Sequence, residues 1–140
     1  MSILPSWTVS LRTRLAQMAE ELTRSLHGWQ GSDLVITPEQ CGYTGELATS
    51  FIQKAIDTAA VKGGGTVLLS RGDYVSGTLV LRSGIRLEVA DGSRLLGSPH
   101  LTDYPEHIAR RRTVQDTNMG MHQSLIFAEG CENVSICGHG

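Results

Sequence analysis

Apolar residues near the start of the chain fall on one face of a helix. Leu11, Leu15, Met18, Leu22 and Leu26 recur at spacings of four, three, four and four, which fits a 3.6-residue period. Ser10 or Thr8 can cap the start of this helix and Gly28 can end it. Its opposite face carries Arg12, Arg14, Glu20, Glu21 and Arg24. Those mixed signs favour packing on its own domain over binding to anionic lipid. Asp33 to Thr37 reads as a short strand stopped by Pro38. A second helix is predicted from about Leu47 to Lys62, with Ile52, Ala55, Ile56 and Ala59 on its apolar face. Thr44 is its expected cap, and Gly63-Gly64-Gly65 stops it.

From Thr66 the period changes to two. Val67-Leu68-Leu69, Tyr74-Val75, Leu79-Val80-Leu81, Ile85 to Val89 and Leu95-Leu96 are short, aliphatic and strand-like. Turn signals separate them at Arg71-Gly72-Asp73, Ser83-Gly84 and Asp91-Gly92. A polar interval runs from His100 to Gln123, and strands resume as Ser124 to Phe127 and Asn133 to Ile136. Short strands with regular turns predict an all-β sandwich, barrel or solenoid. Since the strands recur without a letter-for-letter repeat, a solenoid would have to share geometry and not sequence. The chain divides into a helical segment, 1–31, and a β domain, 32–140.

With 140 residues there is enough chain for one core. Apolar content of 40% and charged content of 19% fit a globular protein. A net charge of −2 forces no broad basic face, so nucleic acid is not an expected partner. Three cysteines, Cys41, Cys131 and Cys137, are too sparse and odd for a disulfide framework. Residues Met1 to Ser10 lack the pattern of a secretory signal, and no apolar run approaches the roughly 20 residues that span a bilayer. A cytoplasmic location with no membrane partner is expected.

Candidate chemistry is thin. Gly63-Gly64-Gly65 follows a helix and precedes a strand, whereas a phosphate loop follows a strand and opens a helix. Cys131, Cys137, His139 and His122 lack the close pairs of structural zinc, so no metal is expected there. Asp57, Glu88 and Asp91 read as surface carboxylates with no partner that could keep one protonated while the other ionises. Arg110, Arg111 and Arg112 are the substrate-binding candidates, because guanidinium groups hold carboxylates in a two-point fork. A solvated loop is the plainer reading of that run.

The stretch from Phe51 to Pro105 resembles the opening segment of glycoside hydrolase family 28, the polygalacturonase family. The likeness is ordered: Ile52-Gln53-Lys54-Ala55-Ile56-Asp57, the glycine run, Gly72-x-Tyr74, Gly77-Thr78-Leu79, Ile85-x-Leu87, Asp91-Gly92, Leu95-Leu96-Gly97-Ser98 and Asp103-Tyr104-Pro105. Ser124 to Gly140 resembles the family's next strand pair. Two local departures stand out. Cys41-Gly42-Tyr43-Thr44-Gly45-Glu46-Leu47 replaces an Asp-Gly-x-x-Asp-Asp-Thr turn, and Ser70-Arg71 replaces a proline.

The resemblance implies a right-handed parallel β-helix, here its first coils, with N-terminal helices of which one caps the open end. It implies hydrolysis of a pectic, galacturonan-type polysaccharide without a metal or organic cofactor, so the expected partner is an acidic polysaccharide or oligosaccharide. The family's Asn-Thr-Asp, Asp-Asp and Arg-Ile-Lys motifs are absent from the 140 residues, so catalytic residues are expected only after Gly140. Gly138-His139-Gly140 precedes every carboxylate motif of the family pattern instead of following them, and His139 is not expected to be catalytic. The chain alone is expected to be inactive and to self-associate through its uncapped C-terminal coil. Related readings are a β-helix polysaccharide lyase or epimerase, and a non-enzymatic saccharide-binding β-helix of the tailspike or adhesin kind.

Overall fold

A computed structural model describes Leu15, residues 31–108 and residues 121–140. Residues 31–108 and 121–140 belong to one unit, Gly31–Gly140. The helix predicted over 11–26 lies outside the described residues except for Leu15, which is helical and exposed.

The unit is built from parallel strands. In chain order they are β1 (Val35–Ile36), β2 (Gly65–Leu69), β3 (Asp73–Ser76), β4 (Leu79–Val80), β5 (Ile85–Val89), β6 (Arg94–Gly97), β7 (His107–Ile108), β8 (Met121–His122), β9 (Ile126–Phe127) and β10 (Ser135–Gly138). An α-helix, α1 (Thr49–Val61), directly precedes β2. The first sheet has the order β1-β2-β5-β10, the second pairs β3 with β6, and the third pairs β4 with β9. All of these pairings are parallel. Among the described residues only β7 and β8 pair antiparallel. The chain therefore visits the three sheets in turn, and Gly65 returns opposite Ile85. That circuit lies at the short end of the roughly 20–45 residues of known stacked repeats.

The register stacks like upon like. Ile36, Val67, Leu87 and Ile136 pair successively across the first sheet. Tyr74 pairs with Leu95 in the second sheet, and Leu79 with Ile126 in the third. Val67, Leu87, Tyr74 and Leu79 are fully buried and, with Leu69, Leu81 and Ile85, form the core. Alternation on a pleated strand turns Arg86 and Glu88 away from that core.

Helix α1 forms for the reason the sequence suggests: Ile52, Ala55, Ile56 and Ala59 are fully buried at helical spacing. Its start differs from expectation. Thr44 does not cap it, because the Thr44 hydroxyl donates to Glu46 Oε1, and the cap position is Ala48 without a side-chain bond. The backbone here serves the sheets instead. Ala48 N–H donates to Val75 C=O at 2.8 Å, and Gly77 N–H donates to Thr49 Oγ1 at 2.8 Å. Gln53 Nε2 donates to Val80 C=O at 2.9 Å, while Val80 N–H donates to Gln53 Oε1 at 2.9 Å. A side-chain amide thus replaces the missing neighbour of β4, as backbone and hydroxyl groups do for β3. The helix covers strand edges that would otherwise lose their partners.

Several expectations need correction. The strand predicted from Asn133 begins only at Ser135, because Asn133 adopts φ 57°, outside the extended region. The polar interval from His100 to Gln123 holds an antiparallel pair. Of the two N-terminal helices expected, the described residues hold α1, while the first lies outside them apart from Leu15. The parallel strands of the expected β-helix are present, but the second and third sheets are only two strands deep, so no closed solenoid forms.

The edge-capping role of Gln53 has a measurable consequence. Replacing it with Ala orphans the N–H and C=O of Val80, and each half-buried orphan costs about 1–3 kcal/mol. Urea denaturation of Gln53→Ala should show a loss of about 2–6 kcal/mol, with an unchanged slope against denaturant.

Candidate functional site

Between β6 and β9 the described chain leaves the stack. Gly97 opens this excursion and Tyr104 fits against it, its hydroxyl 2.8 Å from where a Cβ would lie. Ser98 Oγ donates to Asp103 Oδ2, and Tyr104 O–H donates to Ser98 C=O at 2.8 Å. Thr78 N–H donates to Asp103 C=O at 3.1 Å. A Cβ on Gly77 would fall 2.1 Å from that same carbonyl oxygen, so only glycine allows the approach. On the return side, Gln123 Nε2 donates to Tyr104 C=O at 3.1 Å and Thr78 Oγ1 donates to Ser124 C=O at 2.6 Å.

Between these anchors, His107 pairs with His122 and Ile108 with Met121 in backbone register. The excursion is therefore closed at its base by a two-residue antiparallel ribbon. Arg110, Arg111 and Arg112 follow directly on β7 and lie outside the described residues.

Of the carboxylates raised by the sequence, Asp57 and Glu88 are held by neighbours. Asp57 accepts from Arg82 Nε at 3.1 Å and from Gln53 Nε2 at 3.2 Å. Glu88 lies 3.4 Å from Arg86 Nε across the sheet face. Asp91 is exposed in its Asp-Gly turn. Asp73 pairs with Arg94 in a two-point contact at 2.8 and 2.6 Å. That hydrogen bond holds the Asp73 carboxyl below its ordinary value and pushes Arg94 upward. These contacts neutralise one another, and no acid–base pair is assembled from them.

The glycine run behaves as a helix stop. Gly64 N–H donates to Ala59 C=O and Gly63 N–H to Ala60 C=O, closing α1. Gly64 has φ 110°, and its Cβ would lie 2.7 Å from Gly84 O, so two coils touch there through bare backbone. The thiols are free. Cys131 contacts the carbonyls of Leu81 and Glu129, and Cys137 accepts from Arg86 Nε at 3.0 Å. Among the described residues no group of three or more His, Cys, Asp or Glu could hold a metal. His139 is exposed beyond β10, where its backbone N–H donates to Val89 C=O.

One polar group was not foreseen. Tyr74 is fully buried, accepts from the N–H groups of Ser70 and Arg71 at 3.2 and 3.0 Å, and donates to Glu39 Oε1 at 2.7 Å. Tyr43 stacks on its ring at 5.4 Å between centroids. This phenol holds the turn that occupies the position of the family's proline. Burial, then the hydrogen bond to Glu39, raises Tyr74 above its ordinary value of 10.0. Burial and the charges of Glu39 and Glu46 raise Tyr43 likewise.

Three solved structures share this architecture. An exopolygalacturonase of family 28 from Yersinia enterocolitica is 30% identical over 76% of this chain, with a TM-score of 0.62. A hyperthermoactive exopolygalacturonase from Thermotoga maritima is 25% identical over 79% of the chain, with a TM-score of 0.66. A protein assigned as a glycosyl hydrolase from Parabacteroides merdae, 22% identical over 75% at a TM-score of 0.60, bears on the fold alone. The chain spans 20%, 24% and 41% of their respective lengths. No family profile and no curated protein sequence matches the chain. The fold is that of glycosyl hydrolase structures, and the resemblance read from the sequence is to the same group: the structural neighbours include exopolygalacturonases, one of them of family 28.

Tyr74→Phe should lose about 1–3 kcal/mol at neutral pH by orphaning two N–H groups and Glu39. A phenol whose folded value is raised contributes stability below its ordinary value, and that contribution is lost as pH rises through the folded value. Urea denaturation of the parent should therefore weaken above pH 10.0. The variant should weaken less steeply, with Tyr43 accounting for part of what remains.

Proposed function

We propose that this chain is the N-terminal portion of a polygalacturonase-like glycoside hydrolase, folded as the first coils of a right-handed parallel β-helix and serving a pectic, galacturonan-type substrate. The observation that carries the reading is the 30% identity to a family 28 exopolygalacturonase over 76% of this chain. In the whole enzyme one aspartic acid protonates the leaving glycosidic oxygen, and carboxylates across the cleft activate water. Those groups belong after Gly140. The described carboxylates support this, since the ones the sequence raised are either tied to cations or exposed at a turn.

Arg110, Arg111 and Arg112 supply the saccharide contact in this reading, from an excursion whose base is anchored at Ser98, Asp103 and Tyr104. The partners are an acidic polysaccharide or oligosaccharide and, through the coil ending in β10, other copies of the chain. Its compartment is the cytoplasm, which cell fractionation checks. A non-enzymatic saccharide-binding β-helix is the second reading, favoured by the mutual neutralisation of surface carboxylates. A lyase or epimerase would differ in its product, which carries an unsaturated or inverted uronate.

Incubated with polygalacturonate, the chain should release no reducing ends above buffer background. Release that a His139→Ala change abolishes would overturn this and move the catalytic group into the described residues. Calorimetric titration with oligogalacturonate should give weaker binding for the triple Ala variant of Arg110–Arg112. Losing one charge-assisted fork costs about 1.5–3 kcal/mol, so the dissociation constant should rise at least about tenfold. An unchanged constant returns the run to a solvated loop.

A further inference from the structure

Helix α1 has a second face. The stripe Ile52, Ala55, Ile56 and Ala59 is buried against the strands, and the side away from them carries Ser50, Lys54, Thr58 and Lys62. Spaced by four, these residues follow one another along the helix at steps of about 6 Å. They line a groove of about 580 Å³, a size that holds a small ligand.

Charge on this face is not balanced. Asp57 is the one acidic residue of α1, and Arg82 Nε and Gln53 Nε2 donate to it at 3.1 and 3.2 Å. Lys54 and Lys62 are exposed, and among the described residues neither has an ion-pair partner. The chain as a whole carries a net charge of −2, so two spare ammonium groups on one helix face run against its average and favour an anionic ligand. The hydroxyls narrow the kind of anion. Thr58 Oγ1 donates to Lys54 C=O at 2.7 Å, which leaves its oxygen as an acceptor. A phosphate or sulfate oxygen would meet that acceptor as a like group, whereas a sugar hydroxyl can donate to it. A uronate chain presents both carboxylates for the ammonium groups and hydroxyls for the oxygen between them.

We infer that the outer face of α1 is a second binding site for the acidic saccharide, with Lys54 and Lys62 on two of its carboxylates and Thr58 on a hydroxyl between them. Lys54 and Lys62 stand roughly 12 Å apart along the helix axis, which asks for an oligomer and not a single uronate. The face is turned away from the strands, so coils that stack beyond β10 leave it open. It uses none of Arg110, Arg111 and Arg112. The site rests on the pectic reading above and adds to it a place where the polymer is held away from the reacting bond.

Amide resonances of the nitrogen-15-labelled chain, titrated with oligogalacturonate, decide it. Shifts should gather along Ser50 to Lys62 and persist in the triple Ala variant of Arg110–Arg112. Fully methyl-esterified oligomer, whose carboxylates are uncharged, should leave these amides still, and roughly 1 M salt should abolish their shifts by screening. Joint Lys54→Gln and Lys62→Gln substitution should raise the dissociation constant read from these amides about two- to thirtyfold. Both positions are exposed, and an unchanged far-ultraviolet circular dichroism spectrum checks the fold. If the variant fails to fold, the shifts of the unaltered chain decide alone. Amides of α1 that stay still while others respond overturn the inference and leave the pectic reading standing. A constant unchanged in the lysine variant does the same, as does equal binding of inorganic polyphosphate at α1. No response anywhere in the chain overturns the saccharide contact proposed above together with this site.

Discussion

In-register parallel pairing is the constraint on which the rest of the unit depends. Once Gly65 lies opposite Ile85, every inward side chain of one level must rest on an inward side chain of the level before it. The column Ile36, Val67, Leu87, Ile136 follows from that single register, and a slip of one residue would turn the whole column out to solvent. The backbone must close up where the path bends. Gly64 and Gly84 meet there with no room for a Cβ, and Gly77 meets Asp103 in the same way. These glycines record contacts between levels, not flexibility.

A stack of parallel strands also has two ends, and each is exposed to the same hazard of unpaired N–H and C=O groups. The chain manages one end with elements drawn from before the first circuit. Helix α1 brings four fully buried residues to the core and places Thr49 and Gln53 at strand edges with the same turns. The buried stripe and the edge contacts therefore depend on each other. A helix rotated by one position would bury a polar residue and release β4. Tyr74 performs the corresponding task inside the first circuit, tying the Ser70–Arg71 turn to Glu39.

Much of this architecture was legible in the sequence. The change from period 3.6 to period 2 after the glycine run marks the junction of α1 and β2, and the four buried positions of α1 were all on its predicted face. Strand β5 coincides with the predicted Ile85 to Val89. What escaped was polar and long-range. Nothing in the residues near Gln53 reveals that its amide meets Val80, because that contact exists only after the chain has turned through β2 and β3. The Tyr74–Glu39 bond spans a similar distance along the chain. The start of β10 was misplaced for a local reason, the left-handed Asn133, a conformation to which asparagine is better suited than most residues.

The residues that carry the family resemblance explain why fold was easier to read than reaction. Gly77, Thr78, Gly97, Ser98, Asp103 and Tyr104 lock the corner beneath the excursion. Gly64 lets two levels touch, while Tyr74, Leu79, Ile85 and Leu87 fill the core. Each of these positions is fixed by packing or by a turn, so a likeness there transmits the scaffold. Chemistry needs side chains that face outward with charge to spare. The outward groups described here, Asp57 with Arg82, Asp73 with Arg94 and Glu88 with Arg86, spend their charge on one another. The corner between β6 and β9, held by Ser98, Asp103 and Tyr104, is likewise a matter of backbone and short polar contacts.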